Sequence, residues 1–146
     1  MPPMHDLDAV IAAMYDTISF EAGQRPDWSR HDEIFAPGAR MVRITDDGVF
    51  AFDEGTYQSD IEKMIDDGTL PAFWEAELWR ETRQFGEMAH VLSAYESRRG
   101  REGAYLGRGV NSIQLFRTDN GWRISAMLWR REGVNVKIPA ALSAAG

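Results

Sequence analysis

The chain has 146 residues, 44% hydrophobic and 27% charged, a balance that suits one packed domain and excludes a disordered chain. It has no cysteine, so disulfides, thiolate metal sites and cysteine nucleophiles are excluded together. The net charge of −7 is unevenly spread: residues 1–79 carry −12 and residues 80–146 carry +5.

The basic half does not read as a nucleic-acid surface, because its arginines, from Arg80 to Arg131, scatter through alternating segments and form no single stripe. No membrane partner is expected either. The apolar run from Ala9 to Tyr15 is far shorter than the roughly 20 residues a span requires. No basic segment followed by an apolar stretch and a small-residue cleavage site opens the sequence, so the expected location is cytoplasmic.

From His5 to Glu21 the residues Leu7, Val10, Ile11, Met14 and Ile18 recur at helical spacing, with Asp6 and Asp8 where they suit the helix dipole. A second, shorter helix is predicted from an Asp27 N-cap, burying Trp28, Ile34 and Phe35 before Pro37 and Gly38 stop it. The period then changes to two. Met41 to Thr45 and Val49 to Phe52 form a hairpin around Asp46, Asp47 and Gly48. Tyr57 to Asp67 reads as a third helix, with Tyr57, Ile61, Met64 and Ile65 on its apolar face and Gly68 as its stop. Four long strands follow, near 72–84, 87–98, 105–117 and 122–131, and the Ala-rich tail from about 138 is expected to fray. Helices first and strands last define an α+β fold, three helices packed on the concave face of a strongly bent antiparallel sheet, all within a single domain.

This element order and two stretches, FGEMAHVLSAYESRR (Phe85 to Arg99) and RGVNSIQLFRTDNGWRISAMLWRRE (Arg108 to Glu132), resemble the nuclear transport factor 2-like superfamily. Its members include SnoaL-like polyketide cyclases, ketosteroid isomerases and scytalone dehydratases. The likeness in element order covers essentially the whole chain. It implies a cone-shaped shell and pairing of two copies through the convex sheet face. The isomerases' aspartate base with its protonated aspartic acid has no match here, nor does the dehydratases' aspartate and histidine set, so no inherited chemistry follows.

In the last hairpin, strict alternation puts Asn111, Ile113, Leu115, Trp122, Ile124, Ala126 and Leu128 on one face. Ser112, Gln114, Phe116, Ser125, Met127 and Trp129 share the other. The first face is the more apolar and is assigned to the interior. Phe116, Met127 and Trp129 are assigned to a homodimer interface. The alternative cover for Trp129 is the segment 133–139, where Val134, Val136 and Ile138 alternate. The expected ligand is a small hydrophobic molecule, in a pocket ringed by Tyr15, Tyr57, Ile113 and Leu128 with Asn111 at its polar end.

Three residues are candidates for catalysis. Asn111 would orient a ligand oxygen or else satisfy buried backbone. Histidine is a residue type suited to acid–base work, and His90 faces Asn111 if the Arg98 to Gly103 loop keeps odd-sum pairing; a one-residue shift moves it to the opposite face. Tyr15 resembles the first-helix oxyanion donor of the isomerases, or packs with its hydroxyl in water. Tyr95 has the opposite parity to His90, so only one of them lines the pocket unless a bulge intervenes. Glu75, Glu77, Trp79 and Glu81 share one strand face that reads as solvated, although Glu77 beside Arg108 or Arg130 would form a buried polar network. His5, His31 and His90 fall on different elements without ligand spacing, so no metal and no organic cofactor is expected. The resulting function is cofactor-independent proton transfer of the isomerase, dehydratase or cyclase type. The alternative is a non-catalytic ligand-binding or dimeric association module.

Overall fold

The computed structural model describes residues 6–142. His5, where the first helix is predicted to begin, and the end of the predicted frayed tail, 143–146, lie outside the described residues. Three helices, α1 (Leu7–Ile18), α2 (Trp28–Ile34) and α3 (Glu54–Asp66), lie over one sheet of six strands. The strands are β1 (Phe35–Thr45), β2 (Gly48–Asp53), β3 (Trp74–Phe85), β4 (Met88–Arg98), β5 (Tyr105–Thr118) and β6 (Gly121–Arg131), in the spatial order β2-β1-β6-β5-β4-β3.

Each helix starts where an aspartate captures an orphan backbone N–H: Asp6 takes that of Asp8, Asp27 that of Arg30 and Asp53 that of Thr56. The Asp53 cap starts α3 at Glu54, three residues ahead of the predicted Tyr57. Likewise β1 begins at Phe35 rather than Met41. Pro37 and Gly38 do not end the helix; they sit in an irregular strand start, where Gly38 has φ +74° and the register shifts between Phe35 and Arg40. One pairing is parallel, β1 with β6, so the sheet is mixed and not wholly antiparallel.

Two bulges control what faces inward. On β6 the pairs Leu115–Ile124 and Gln114–Ala126 leave Ser125 as an extra residue. Beyond it every side chain changes face. Met127 and Trp129 therefore join Asn111 and Ile113 on the concave side, while Ala126 and Leu128 turn outward, against the strict alternation expected from the sequence. Burial agrees, with Met127 only 5% exposed and Leu128 43%. On β3 the pairs Glu77–Tyr95 and Trp79–Ala94 leave Leu78 as the extra residue. Glu75 and Glu77 consequently face inward, and Trp79 and Glu81 do not share that face.

The core forms where α1 and α2 meet the concave face, with Val10, Ile11, Met14 and Ile34 packed with Val91, Ile113, Leu115 and Ile124. Segment 133–139 makes no strand and does not cover Trp129. It turns back beside Val110 and Arg130, held by the Ile138 N–H on Glu132 Oε2 at 2.7 Å. Among the described residues, no helix is long and apolar enough to cross a membrane.

Candidate functional site

The concave face is graded from one end to the other. Across the sheet, paired residues run Glu77, Tyr95, Gly109 and Arg131 in one row; Arg80, Ser93, Asn111, Trp129 and Arg43 in the next; then Val91, Ile113, Met127 and Met41. Charged side chains stand at the outer positions of the first two rows, Ser93 and Asn111 lie between them in the second, and aliphatic core fills the third. Between this face and α3 the molecule leaves a cavity of about 820 Å³, within the range that encloses a small organic molecule. Met14, Phe35, Tyr57, Met64, Met127 and Trp129 supply apolar walls, and Glu75 and Asn111 are polar groups in the same lining.

Glu75 is the residue with the most unusual chemistry. Burial pushes its carboxyl up to about 8, and a hydrogen bond from the Asn111 amide draws it only partly back. At neutral pH it is therefore mainly a neutral acid, able to donate a proton as well as accept one. Burial, and then the charge Glu75 would carry, push the Tyr15, Tyr57 and Tyr95 hydroxyls up, so all three stay protonated.

A continuous chain of hydrogen bonds leads from Asn111 to the surface. Asn111 Nδ2 donates to Tyr15 Oη at 3.0 Å, and Tyr15 Oη lies 2.6 Å from Ser93 Oγ. Ser93 Oγ donates to Glu77 Oε2 at 2.5 Å, and Arg80 donates to the same carboxylate at 2.8 Å before reaching Asp8 at the start of α1. With Ser93 giving its proton to Glu77, its oxygen is left to accept from Tyr15, so the chain has one direction. Glu77 thus joins a partly buried network, but with Arg80 and Ser93 rather than with Arg108 or Arg130. Arg108 instead pairs with Glu132 and Arg130 with Asp46.

The predicted site residues divide. Tyr15 and Asn111 meet directly, and Tyr57 and Asn111 line the cavity, whereas Ile113 is fully buried core. Tyr95 faces inward at 5% exposure, its hydroxyl over Gly109, where an added Cβ would come within 2.6 Å of it. His90 pairs with Gln114 by an even-sum register and lies on the convex face, its Nε2 2.9 Å from Ser112 Oγ, so the odd-sum alternative is excluded. Leu128 faces outward instead of into the pocket. Met127 and Trp129 face into the cavity rather than toward a second copy. Phe116 keeps its outward position at 38% exposure.

Glu75 does not stand out in the sequence because its neighbours Glu77 and Glu81 make the strand look solvated. Its burial depends on Asn111 on β5 and the tyrosines of α1, α3 and β4, and no local spacing reports these. A group joining α2 to α3 is equally illegible in the sequence: His31, Asp32 and Glu54 bring ligand-type atoms within 4.8 Å of one another. The Gln58 amide nitrogen sits among them, 2.7 Å from Asp32 Oδ1, 2.9 Å from Glu54 Oε2 and 3.3 Å from His31 Nδ1.

No family model and no curated protein matches the chain. Solved structures do. A protein of unknown function with a cystatin-like fold from Nostoc punctiforme aligns at TM-score 0.67 and 11% identity, over 88% of this chain and 90% of that one. An NTF2-like superfamily protein from Salmonella enterica serovar Typhimurium aligns at TM-score 0.63 and 14% identity, covering 88% and 92%. An NTF2-like protein of unknown function from Silicibacter pomeroyi gives TM-score 0.60 at 16% identity, covering 86% and 92%. Helices over a curved sheet enclosing a cavity define the cone class. Its particular form here is the NTF2-like fold that the sequence resemblance implied.

Proposed function

We propose that this chain binds a small, mainly apolar molecule in the cone cavity and that Glu75 exchanges a proton with it, in isomerase-, dehydratase- or cyclase-type chemistry. The observation that carries this reading is a carboxyl group facing an apolar cavity beside an amide donor, Asn111, whose own position is fixed by Tyr15. A ligand carbonyl or hydroxyl between the two would receive one hydrogen bond from Asn111 while Glu75 gives or takes the proton. Glu75 and Asn111 supply these steps by themselves, without a metal or organic cofactor.

The test is hydrogen–deuterium exchange next to the carbonyl of cyclic ketones in deuterated buffer, followed by NMR. The protein should accelerate exchange for at least one ketone, and Glu75→Gln should slow that exchange by about a hundredfold or more. If no ketone in the panel exchanges faster than in buffer, proton transfer is wrong; if ketones still perturb cavity resonances, non-catalytic binding takes its place.

The same proposal includes a homodimer through the convex face. Its support is an exposed apolar row, Phe85, Met88 and Phe116, paired across β3, β4 and β5, with Leu128 outward on β6.

A further inference from the structure

We propose that the molecule bound in the cavity is an amphipathic anion, an apolar body ending in a carboxylate that Arg43, Arg99 and Arg131 hold at the exposed end with Lys63. This deepens the small-molecule reading above and rests on it.

The charges of the cavity lining run against those of the whole molecule. The chain carries −7, yet Arg43, Lys63, Arg99 and Arg131 all line the cavity, against the acids Asp60, Asp67 and Glu75. Glu75 is mainly neutral at pH 7; Asp67 is held as an anion by Thr69, whose backbone N–H reaches it at 2.8 Å, and by Lys63, so together with Asp60 it offsets two of the four positive charges of the lining. Among the described residues, seven other arginines each reach a carboxylate within 4.0 Å. The four cations of the lining reach none.

The three guanidinium groups are placed by partners that leave their charge intact. Arg43 lies over the Phe50 ring, 4.9 Å from its centroid. Arg99 Nη1 donates to the Thr69 carbonyl at 3.3 Å. Arg131 lies over Gly107, where an added Cβ would come within 2.9 Å of its Nε. The Gly107 and Gly109 pair is thus a bare shelf for Arg131 and Tyr95, which explains two glycines inside a strand.

A guanidinium so held keeps most of its five donors, and its planar fork matches the two oxygens of a carboxylate. The walls beyond it are apolar, so a small hydrophilic anion would gain nothing from entering. Positive groups at one end and aromatic and aliphatic walls behind them suit a molecule with the same division.

Decanoate, decanol and decylammonium share one apolar body and differ only in head charge. Titration calorimetry at low ionic strength should show decanoate binding about tenfold tighter than decanol, the worth of one charge-assisted pair, with decylammonium weakest. The double variant R43Q/R131Q alters two exposed side chains, and circular dichroism checks that it folds. It should lose about tenfold for decanoate and less than twofold for decanol. Decanol binding as tightly as decanoate, or a ratio unchanged in the variant, would overturn the anion inference and leave the cavity reading intact. If none of the three binds, the cavity reading itself fails and this one with it.

Discussion

His31 shows how one buried side chain sets a pH dependence. Its ring is fully buried, stacked 4.2 Å from Phe35 and 5.8 Å from Tyr57, with Trp28 edge-on at 5.4 Å. Burial pushes its pKa down to about 4, against a modest opposing pull from Asp32, and Nε2 has no hydrogen-bond partner. In the unfolded chain the imidazole titrates near 6.5, so between about pH 6.5 and 4 the unfolded state binds more protons than the folded one. This contribution to stability is full above pH 6.5 and is lost as pH falls through that window. Urea denaturation from pH 7 to 4.5 should show His31→Phe losing less stability than the wild type, by on the order of 2 kcal/mol. Equal losses in the two proteins would mean that the ring is not held neutral.

At the scale of elements, helices were more legible than strand faces. The aspartate caps and the three-and-four spacing of Val10, Ile11, Met14 and Ile18 are local signals, and α1 and α2 formed where those signals lie. A bulge leaves no mark on strict alternation, so Ser125 reversed the assignments beyond it, and Leu78 split into two a strand face that alternation makes continuous, turning Glu75 and Glu77 inward. The β6 sequence did carry a trace: Trp122 and Ile124 are in phase with each other, Met127 and Trp129 are in phase with each other, and the small residues Ser125 and Ala126 separate them. Asn111 was legible as an inward polar group because it sits on an otherwise apolar face, whereas Tyr15 was a candidate through the family resemblance, at the margin of its helix's apolar face. Glu75 was not legible, since the groups that bury it come from elements far away in sequence.

At the scale of the whole molecule, Trp129 lies on the opposite side of the sheet from the one its sequence phase suggested, while the inward and outward residues of β5 stand as expected. Its aromatic surface is spent on the cavity, packed edge-on against Phe52 and Tyr57, and the convex face keeps Phe116, Met88 and Leu128 instead. The dimer proposed through that face should sediment as two chains at micromolar concentration, and Phe116→Glu should sediment as one while remaining folded by circular dichroism. A monomeric wild type would end the idea.

On the proposed reading, the cone holds a carboxyl group in its neutral form at physiological pH, facing the cavity and ready to exchange a proton. The direct measurement is a carbon-13 NMR titration of the glutamate side-chain carboxyls, with Glu75→Gln identifying the resonance. The Glu75 signal should titrate with a midpoint near 8, set by burial and moderated by Asn111. A midpoint near the ordinary glutamate value of about 4.3 would overturn this reading, because Glu75 would then be a permanent anion in the cavity and not an acid.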